Sequence, residues 1–366
     1  MSGGVVTGSN GGGGTKVPGP PEPCAGAGCG SHEGRSRVAL GVVGMSPHEY
    51  GSTCAAMGWP RARLSPPRLM GDDFGLKAPG WVAPTRARDD IDAVLALAPD
   101  WIGPLPIIAA CEAGKAVYSS AALDISFDQA REIRRRVDDS GVAFMAEWPR
   151  RFAPATLRLK ELMATRLGKP RILFCHERLP VEGQLDRLRR GEYCPLTWRH
   201  MMELVDWCYY LVGAPPSTVS SARHESPTDQ GQAFYQMVSL DFPAYEDDGI
   251  QPLAQLSLGH YMPAKWKDAL SYRRPASIQV CCERGMAFID LPNTLIWFDD
   301  GGQHTESLEA ERAVGEQMLI QFHRSVTSLI RNRSDLADAY RAMQVVLKAN
   351  ESARTGQRIS LNYEQG

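Results

Sequence analysis

Val38-Ala-Leu-Gly-Val-Val43 is a short, continuous apolar run that is rich in valine. Such a run is typical of a strand that is buried on both faces of a parallel sheet. Similar runs follow at Asp92-Ala-Val-Leu-Ala-Leu-Ala98, Ala116-Val-Tyr118 and Val142-Ala-Phe-Met145. Because helical patterns separate these strands, the first part of the chain is predicted to be an α/β, Rossmann-like, doubly wound parallel sheet.

The segments between these strands carry helix signals. Residues 104–113 form an apolar helical pattern. Ser126 and Gln129 have the spacing of a capping box, and Ile133 and Val137 share one face of the helix that follows. Ligands of such a sheet are expected at the carboxyl ends of its strands.

The chain beyond residue 150 has a different pattern. Many short runs alternate between apolar and polar residues, as in Phe234-Tyr-Gln-Met-Val-Ser-Leu240, which indicates strands with one buried face. Predicted strands cover residues 171–177, 218–224, 234–240, 254–260, 277–282, 286–290 and 295–298. Predicted helices cover residues 155–167, 197–212, 310–330 and 336–353. The pattern predicts an α+β domain with a large open, mainly antiparallel sheet.

Composition and charge set the domain organisation. Among 366 residues, 40 Lys and Arg stand against 42 Asp and Glu, which argues against a nucleic-acid partner. Residues 1–35 hold 12 of the 35 glycines and are predicted to be a disordered tail. A nucleotide-binding domain is predicted over residues 36–150. A substrate and oligomerisation domain is predicted over residues 151–366, with its last helix packing back on the first domain.

The nine cysteines favour reduced thiols in a cytoplasmic protein, because their number is odd and the N-terminal segment lacks the apolar core of an export signal. No uninterrupted apolar run approaches about 18 residues, so neither a transmembrane helix nor a membrane partner is predicted. Cys24 and Cys29 lack a matching second pair, and no metal site is predicted.

The loop after the first strand departs from a dinucleotide-binding pattern. Starting at Gly44, the spacing G-x-G-x-x-G requires glycine at two positions where the chain has Ser46 and Glu49. No Asp or Glu occurs from Tyr50 to Gly71, where an acid would hold the ribose hydroxyls. Taken alone, the loop is more typical of an ordinary strand-to-helix turn than of a cofactor site.

Seven stretches together resemble the Gfo/Idh/MocA family of sugar and cyclitol oxidoreductases in their order and spacing. They are residues 38–44, 91–99, 110–117, 141–145, 151–154, 167–170 and 204–213. Residues 349–356 also resemble the family's C-terminal end. The resemblance covers roughly residues 36–362. It implies a Rossmann domain followed by an α+β substrate domain, NAD or NADP as cofactor, a sugar or polyol ligand, and homo-oligomers formed through the open sheet.

The resemblance also implies a set of cofactor-binding residues, which are Gly44, Ser46, Pro47, Pro99 and Ser120. The chain departs from the family at the positions that carry the chemistry. Where members commonly have a Glu-Lys-Pro motif, this chain has Ser120, Ala121 and Ala122. The lysine that carries a proton in many members is therefore absent. A histidine that members place after the third strand falls on Gly103.

Catalytic groups at other positions of the chain are the candidate replacement for the missing lysine and histidine. The family pattern G-x-H-x-x-D fits Asp206, but its histidine position is Glu203. Glu203 can carry a proton if it is buried, and His200 lies three residues before it on the same helix face, near Asp206. Arg151 and His176 are the candidate substrate-binding residues.

Each of these residues also has a structural interpretation. It is favoured about two to one, because ionisable groups with shifted pKa values also occur in purely structural networks. Glu203 and His200 can form a polar helix face with a local ion pair, and Asp206 can cap or pair. Arg150 and Arg151 can hold the domain junction through hydrogen bonds.

Three functional hypotheses follow. The coincident losses favour, by a small margin, a protein that keeps the fold and binds a ligand with a degenerate active site. The second is an active NAD(P)-dependent sugar or polyol dehydrogenase with a relocated acid/base set. The third is a non-redox, sugar-acting enzyme that uses Glu203 and His200, or a purely structural oligomer.

Overall fold

The structure, a computed structural model, describes residues 40–43, 91–96, 104–119, 126–180, 196–228, 231–262, 266–308, 312–327 and 334–363. All of these belong to one compact unit, residues 37–366. The predicted disordered tail lies outside the described residues, and so does the loop that follows the first strand.

Four parallel strands form the first sheet, and their order is β1-β2-β3-β4. They are β1 (Leu40–Val43), β2 (Ala93–Ala96), β3 (Ala116–Ser119) and β4 (Phe144–Ala146). Every residue of β2, β3 and β4 is buried, which accounts for their continuous apolar sequence. The predicted α/β parallel sheet is confirmed.

Two helices that lie between its strands in the sequence pack beside this sheet, α1 (Leu105–Glu112) and α2 (Phe127–Ser140). The predicted capping box opens α2. The backbone N–H of Ser126 donates to Oε1 of Gln129 at 3.0 Å, and the N–H of Gln129 donates to Oγ of Ser126 at 3.3 Å. Gly141 ends the helix in the left-handed region, with φ of 63°.

A second, nine-stranded sheet has the order β12-β11-β10-β9-β5-β8-β7-β6-β13. Its strands are β5 (Pro170–Pro180), β6 (Thr218–Thr228), β7 (Gly231–Asp241), β8 (Leu253–Met262), β9 (Ile278–Cys282), β10 (Gly285–Asp290), β11 (Thr294–Asp299), β12 (Gly302–Ser307) and β13 (Ile359–Ser360). Only β5 and β8 pair in parallel, which confirms the mainly antiparallel sheet. The sequence prediction lacks β12 and β13, because β12 is polar throughout and β13 has two residues.

Six further helices lie within the described ranges, and one of them, Val314–Thr327, packs on the first sheet through Met318, Leu319 and Phe322. The six helices are α3 (Pro149–Phe152), α4 (Pro154–Leu162), α5 (Leu196–Val212), α6 (Lys267–Ser271), α7 (Val314–Thr327) and α8 (Ser334–Thr355). A π-helical turn, Met163–Leu167, extends α4 as far as Gly168. The short helices α3 and α6 are absent from the sequence prediction, since four or five residues give no helical period.

The large sheet has one covered and one open face. On the covered face, Cys175 of β5 lies 3.4 Å from Cys208 of α5, measured between the Sγ atoms, and both residues are fully buried. The alternate positions of the strands point to the other face. Large apolar side chains that are exposed there are Ile172, Met237, Tyr261 and Phe298.

The last long helix connects the two sheets. α8 packs on α5 and β6 of the second part, and on α2 and β4 of the first part. The rings of Phe127 in α2 and Tyr340 in α8 are stacked, with their centroids 5.2 Å apart. None of the helices that the structure describes combines the length and the apolar character needed to cross a membrane.

Candidate active site

The carboxyl ends of β3 and β4 lie side by side. The backbone N–H of Glu147, the residue after β4, donates to the carbonyl oxygen of Ser119, the last residue of β3, at 2.9 Å. Doubly wound sheets bind their ligands at this edge. Glu147 is therefore the acidic residue that the fold places at the expected ligand edge.

The carboxyl group of Glu147 has a pKa that is raised to about 7. Burial is the main cause, because it disfavours the charged form, and the negative charge of Glu203 acts in the same direction. The positive charge of Arg199 and a hydrogen bond with Tyr118 oppose the shift. An acid that titrates near neutral pH can both accept and return a proton.

Tyr118 is a buried neighbour of this acid, and its side chain comes from β3. Burial raises the pKa of its phenol, and the charge of Glu147 raises it further. The ring packs edge-on against Phe322 of α7, with the centroids 5.5 Å apart. The phenol therefore stays protonated and serves as a fixed hydrogen-bond donor to Glu147.

Arg150 in α3 binds two carboxylates from different elements. Its Nη2 atom lies 2.7 Å from Oε2 of Glu177 in β5, and its Nε atom lies 3.4 Å from Oε2 of Glu203 in α5. The guanidinium also lies over the ring of Trp207, 5.5 Å from its centroid. Arg150 thus ties α3, β5 and α5 together three residues after Glu147.

His200 joins the same group of charges from α5. Its Nδ1 atom lies 2.9 Å from Oε1 of Glu177, which is ion-pair distance. Burial raises the pKa of Glu177, but His200 and Arg150 outweigh it and hold that pKa below its ordinary value. Glu177 is therefore a carboxylate that stabilises positive neighbours, whereas Glu147 is the acid that titrates near neutrality.

Arg151 and Asp206 form a second, deeper ion pair. Nε of Arg151 donates to Oδ2 of Asp206 at 2.8 Å, and Nη2 donates to Oδ2 of Asp338 in α8 at 2.9 Å. Burial lowers the pKa of Arg151, but the two carboxylates outweigh it and raise the pKa. The pair joins α3, α5 and α8, and this geometry favours the structural interpretation of both residues.

The structure brings His200, Glu203 and Asp206 to one side of α5, where each contacts a charged residue of β5 or α3. It does not bring His176 there. His176 lies on the open face of the large sheet, where its Nδ1 atom is 2.8 Å from Oγ of Ser257. Successive side chains of a strand point to opposite faces, so Glu177 faces the cluster and His176 faces away.

His260, near the end of β8, is a further buried polar group on the covered face. It is 2% exposed, and its Nε2 atom has no hydrogen-bond partner within the part of the chain that the structure describes. Burial lowers the pKa of His260 to about 4, and the positive charge of His200 contributes to this. Its ring packs edge-on against Phe234, with the centroids 5.3 Å apart.

The predicted cofactor-binding residues lie outside the described residues, and so does the loop that lacks the lysine. They are Gly44, Ser46, Pro47, Pro99 and Ser120. Within the described ranges, no group of three or more His, Cys, Asp or Glu side chains is arranged to hold a metal ion.

Solved structures with the same architecture share little sequence with this chain. An aldose-aldose oxidoreductase from Caulobacter crescentus aligns over 88% of this chain and 91% of its own, with a TM-score of 0.67 and 15% identity. A myo-inositol 2-dehydrogenase from Lactobacillus plantarum aligns over 89% and 100%, with a TM-score of 0.63 and 15% identity. The chain has the Gfo/Idh/MocA oxidoreductase fold.

Sequence comparison with curated proteins finds only partial matches. No family model matches the chain. A 2,7-anhydro-N-acetylneuraminate hydratase from Mediterraneibacter gnavus is 26% identical over 195 residues, which are 51% of this chain and 48% of the relative. An uncharacterised oxidoreductase from Streptococcus pneumoniae is 25% identical over 159 residues, 41% of this chain and 42% of the relative. Each match spans less than half the length of the relative.

Two residues at or near this charged cluster, Glu147 and His260, are not among those predicted from the sequence. An acid two residues after the predicted strand Val142–Met145 was the available signal for Glu147. For His260 the signal was a histidine that continues the buried alternation of Leu256 and Leu258. Neither signal identifies the neighbours that perturb these groups, since those come from distant parts of the chain.

Proposed function

We propose that this protein is an NAD(P)-dependent oxidoreductase that oxidises a hydroxyl group of a sugar or polyol, with Glu147 as its proton carrier. The position of Glu147 carries the proposal. Its backbone lies at the ligand edge of the parallel sheet, and its buried carboxyl group is hydrogen-bonded to Tyr118. The missing lysine and histidine favour a degenerate site, whereas Glu147 supplies the proton-carrying group that an active enzyme requires.

Oxidation of a secondary alcohol to a ketone breaks a C–H and an O–H bond. The hydrogen leaves carbon with both electrons of the C–H bond, and the hydroxyl proton needs a base. NAD(P)⁺, when bound, supplies the hydride acceptor. Glu147 as a carboxylate takes the proton while the carbonyl group forms, and the protonated acid returns it in the reverse direction.

The neighbours of Glu147 act as positioning residues. Tyr118 orients the carboxyl group through its hydrogen bond, while burial keeps the pKa of Glu147 high and the charge of Glu203 acts in the same direction. Arg150 in turn holds Glu203 and Glu177 in place. The buried pair of Arg151 and Asp206 secures the helices beneath them.

The cofactor is assigned to the carboxyl edge of the parallel sheet, where β1 to β4 all end. An acid that titrates near neutral pH at this edge fits a hydride transfer, which needs a proton carrier beside the hydride acceptor. Gly44, Ser46 and Pro47 would hold the phosphates, and Pro99 and Ser120 would contact the rest of the cofactor. A structure of the same fold, an oxidoreductase from Agrobacterium radiobacter in complex with NAD⁺, supports this assignment.

A polyhydroxylated substrate is supported by the names of the similar proteins. They include an aldose-aldose oxidoreductase in complex with glycerol, a myo-inositol 2-dehydrogenase and a hydratase of 2,7-anhydro-N-acetylneuraminate. The ligands in these names have many hydroxyl groups in common. Carboxylates at the site, such as Glu147 and Glu203, accept hydrogen bonds from hydroxyl groups.

Cofactor titration followed by turnover assays tests the proposal. We expect NADH or NADPH to bind at submillimolar concentration, followed by turnover on a panel of polyols and aldoses. Glu147→Gln should lower kcat by about 100-fold or more at unchanged NADH affinity. The control is Glu161→Gln, because Glu161 lies in α4 with 62% of its side chain exposed. No binding of either cofactor at millimolar concentration, or full activity of Glu147→Gln, contradicts the proposal.

A degenerate, ligand-binding relative remains the second candidate, because Ser120, Ala121 and Ala122 replace the proton-carrying motif. Tight cofactor binding without turnover on the panel would favour it. The non-redox hypothesis assigned catalysis to Glu203 and His200. It receives less support, because Glu203 pairs with Arg150 and Arg199, and His200 pairs with Glu177.

We also propose that two copies of the chain associate through the open face of the large sheet. Ile172, Met237, Tyr261 and Phe298 leave apolar surface there that a second sheet can cover. Light scattering behind size exclusion should give a dimer or larger oligomer. Met237→Lys should shift it toward the monomer, and a monomeric parent protein would contradict this proposal.

A further inference from the structure

We propose that the substrate is an acidic sugar derivative, with a carboxylate or a phosphate group, and that Arg274 binds this anionic group. The inference rests on the proposed function and narrows its substrate class. It stands on the position of Arg274 beside the site, on its unpaired and exposed guanidinium group, and on the nearby carboxylates, whose oxygen atoms are already paired.

The path of the chain places Arg274 at the carboxyl end of β5. The strand β9 runs antiparallel to β5, and just before it the carbonyl oxygen of Ser277 accepts a hydrogen bond of 3.3 Å from the N–H of His176. The chain from Ser277 back to Arg274 therefore leaves the sheet beside the carboxyl end of β5, where Glu177 lies. The helix α6, which ends three residues before Arg274, also packs on β5.

The charge of Arg274 reaches the group of charges around Glu177. Burial acts to raise the pKa of Glu177, but His200 and Arg150 hold it below its ordinary value. The positive charge of Arg274 contributes to this lowering. Because the effect of a charge falls with distance, Arg274 lies close to the residues that surround the proposed proton carrier.

The guanidinium group of Arg274 is free to bind a ligand. Its residue is exposed, and its side chain has neither a hydrogen bond nor an ion pair with any residue that the structure describes. The neighbouring Arg273 differs, because its guanidinium lies over the ring of Tyr272, 5.5 Å from the centroid. A free guanidinium can bind a carboxylate or a phosphate group through two parallel hydrogen bonds.

The carboxylates beside Arg274 already have partners. Oε1 of Glu177 lies 2.9 Å from Nδ1 of His200, and its Oε2 lies 2.7 Å from Nη2 of Arg150. Oε1 of Glu203 lies 3.4 Å from Nε of Arg199, and its Oε2 lies 3.4 Å from Nε of Arg150. All four oxygen atoms thus face a nitrogen atom of another side chain. A further positive charge at this place is therefore available to an anionic ligand.

The turn that carries Arg274 holds it in a defined position. The N–H of Arg274 donates to the carbonyl oxygen of Ser271 at 3.4 Å, and Pro275 restricts the backbone of Arg274 to extended conformations. Among the residues that the structure describes, Arg273 is the one non-glycine residue with a positive φ, 44°. Such costly backbone conformations cluster at ligand sites. A turn that is fixed in advance lowers the entropy cost of ligand binding.

Calorimetry with three related sugars tests the inference. D-glucuronate carries a carboxylate, D-glucose 6-phosphate carries a phosphate group, and D-glucose carries neither. In the presence of NADH we expect one of the two acids to bind at least about tenfold more tightly than D-glucose. The acid that binds more tightly identifies the anionic group. Added salt should weaken the binding of this acid and leave that of D-glucose unchanged.

Two neighbouring arginines provide the test variant and its control. Arg274→Gln should weaken binding of the acid about tenfold and leave D-glucose and NADH within about twofold. Arg274→Lys should recover part of the loss, since it keeps the charge without the paired hydrogen bonds. Arg273→Gln removes an adjacent exposed guanidinium and should leave binding of the acid within about twofold. Equal losses in Arg273→Gln and Arg274→Gln would assign the attraction to general surface charge and overturn the inference.

A second readout depends neither on turnover nor on the cofactor. The ¹³C resonance of Cζ of Arg274, assigned by its absence in Arg274→Gln, is followed by NMR while each sugar is added to Glu147→Gln protein. We expect it to shift with the acid and not with D-glucose. An unmoved resonance, equal or tighter binding of D-glucose, or binding of none of the three sugars overturns the inference. If no cofactor binds but the resonance shifts, only the redox proposal fails. Turnover of neutral polyols without binding of either acid has the opposite meaning.

Discussion

The phenol of Tyr118, in β3, is hydrogen-bonded to the carboxyl group of Glu147, the residue that follows the adjacent parallel strand β4. Burial is the largest cause of the raised pKa of each group. The two groups shift each other's pKa in opposite directions. The charge of Glu147 raises the pKa of Tyr118, and the hydrogen bond from Tyr118 lowers the pKa of Glu147. The pair therefore places a permanent donor beside an acid that titrates near pH 7.

Tyr118→Phe removes the donor and keeps the ring. The pKa of Glu147 should then rise further, because the hydrogen bond that favours its charged form is lost. In the oxidation direction Glu147 must be deprotonated, so kcat/KM should increase with pH through about 7 in the parent and at higher pH in the variant. A pH–rate profile that keeps its midpoint in Tyr118→Phe would argue against Glu147 as the base.

Glu147 should also make stability depend on pH. Its pKa rises from an ordinary 4.5 to about 7 on folding, so between these values the folded protein binds more protons than the unfolded chain. The free energy of unfolding should therefore fall as pH increases through this window, by on the order of 2–3 kcal/mol.

Glu147→Gln should remove this dependence, since an amide does not titrate. Urea unfolding at pH 5 and pH 8 checks the prediction, with Glu161→Gln as the exposed control. The Glu147→Gln protein should be the more stable one at pH 8. If parent and variant lose the same stability between the two pH values, the carboxyl group titrates at its ordinary pKa.

Local signals in the sequence were enough for most of the fold. The capping box at Ser126 and the buried runs of β2 and β3 depend on neighbours in the chain, and the structure confirms them. The strand β12 was missed because Gly302–Ser307 lacks apolar residues, and only its pairing with β11 makes it a strand.

The site was harder to predict, because its chemistry depends on contacts between distant residues. Glu147 titrates near neutral pH owing to burial and to Glu203, which lies 56 positions further along the chain. Period two alone assigns His176 and Glu177 to opposite faces of β5. It does not say which face α5 covers. The sequence therefore pointed to His176 as a candidate site residue, whereas the structure places Glu177 in the charged cluster.

Ser126→Ala tests the contribution of the capping box to stability. The substitution leaves the N–H of Gln129 without its partner, and it should lower the free energy of unfolding by about 1 kcal/mol. Ser140→Ala, at the exposed end of the same helix, should cost less than about 0.5 kcal/mol. Denaturant titration of both variants checks the difference, and equal losses would mean that the cap contributes nothing specific.

Asp206→Ala separates the structural from the catalytic interpretation of Asp206. The carboxylate is buried against Arg151, so its removal leaves a buried guanidinium short of one partner and should cost about 3 kcal/mol. Asp138→Ala removes an exposed carboxylate that lies 3.9 Å from Arg134, and it should cost less than about 1 kcal/mol. Denaturant unfolding measures both losses. If Asp206 only anchors α5, the variant is less stable but keeps the midpoint of the parent's pH–rate profile. A variant of parental stability whose activity is abolished would instead place Asp206 in the catalytic set, since its loss would then act on the reaction and not on the fold.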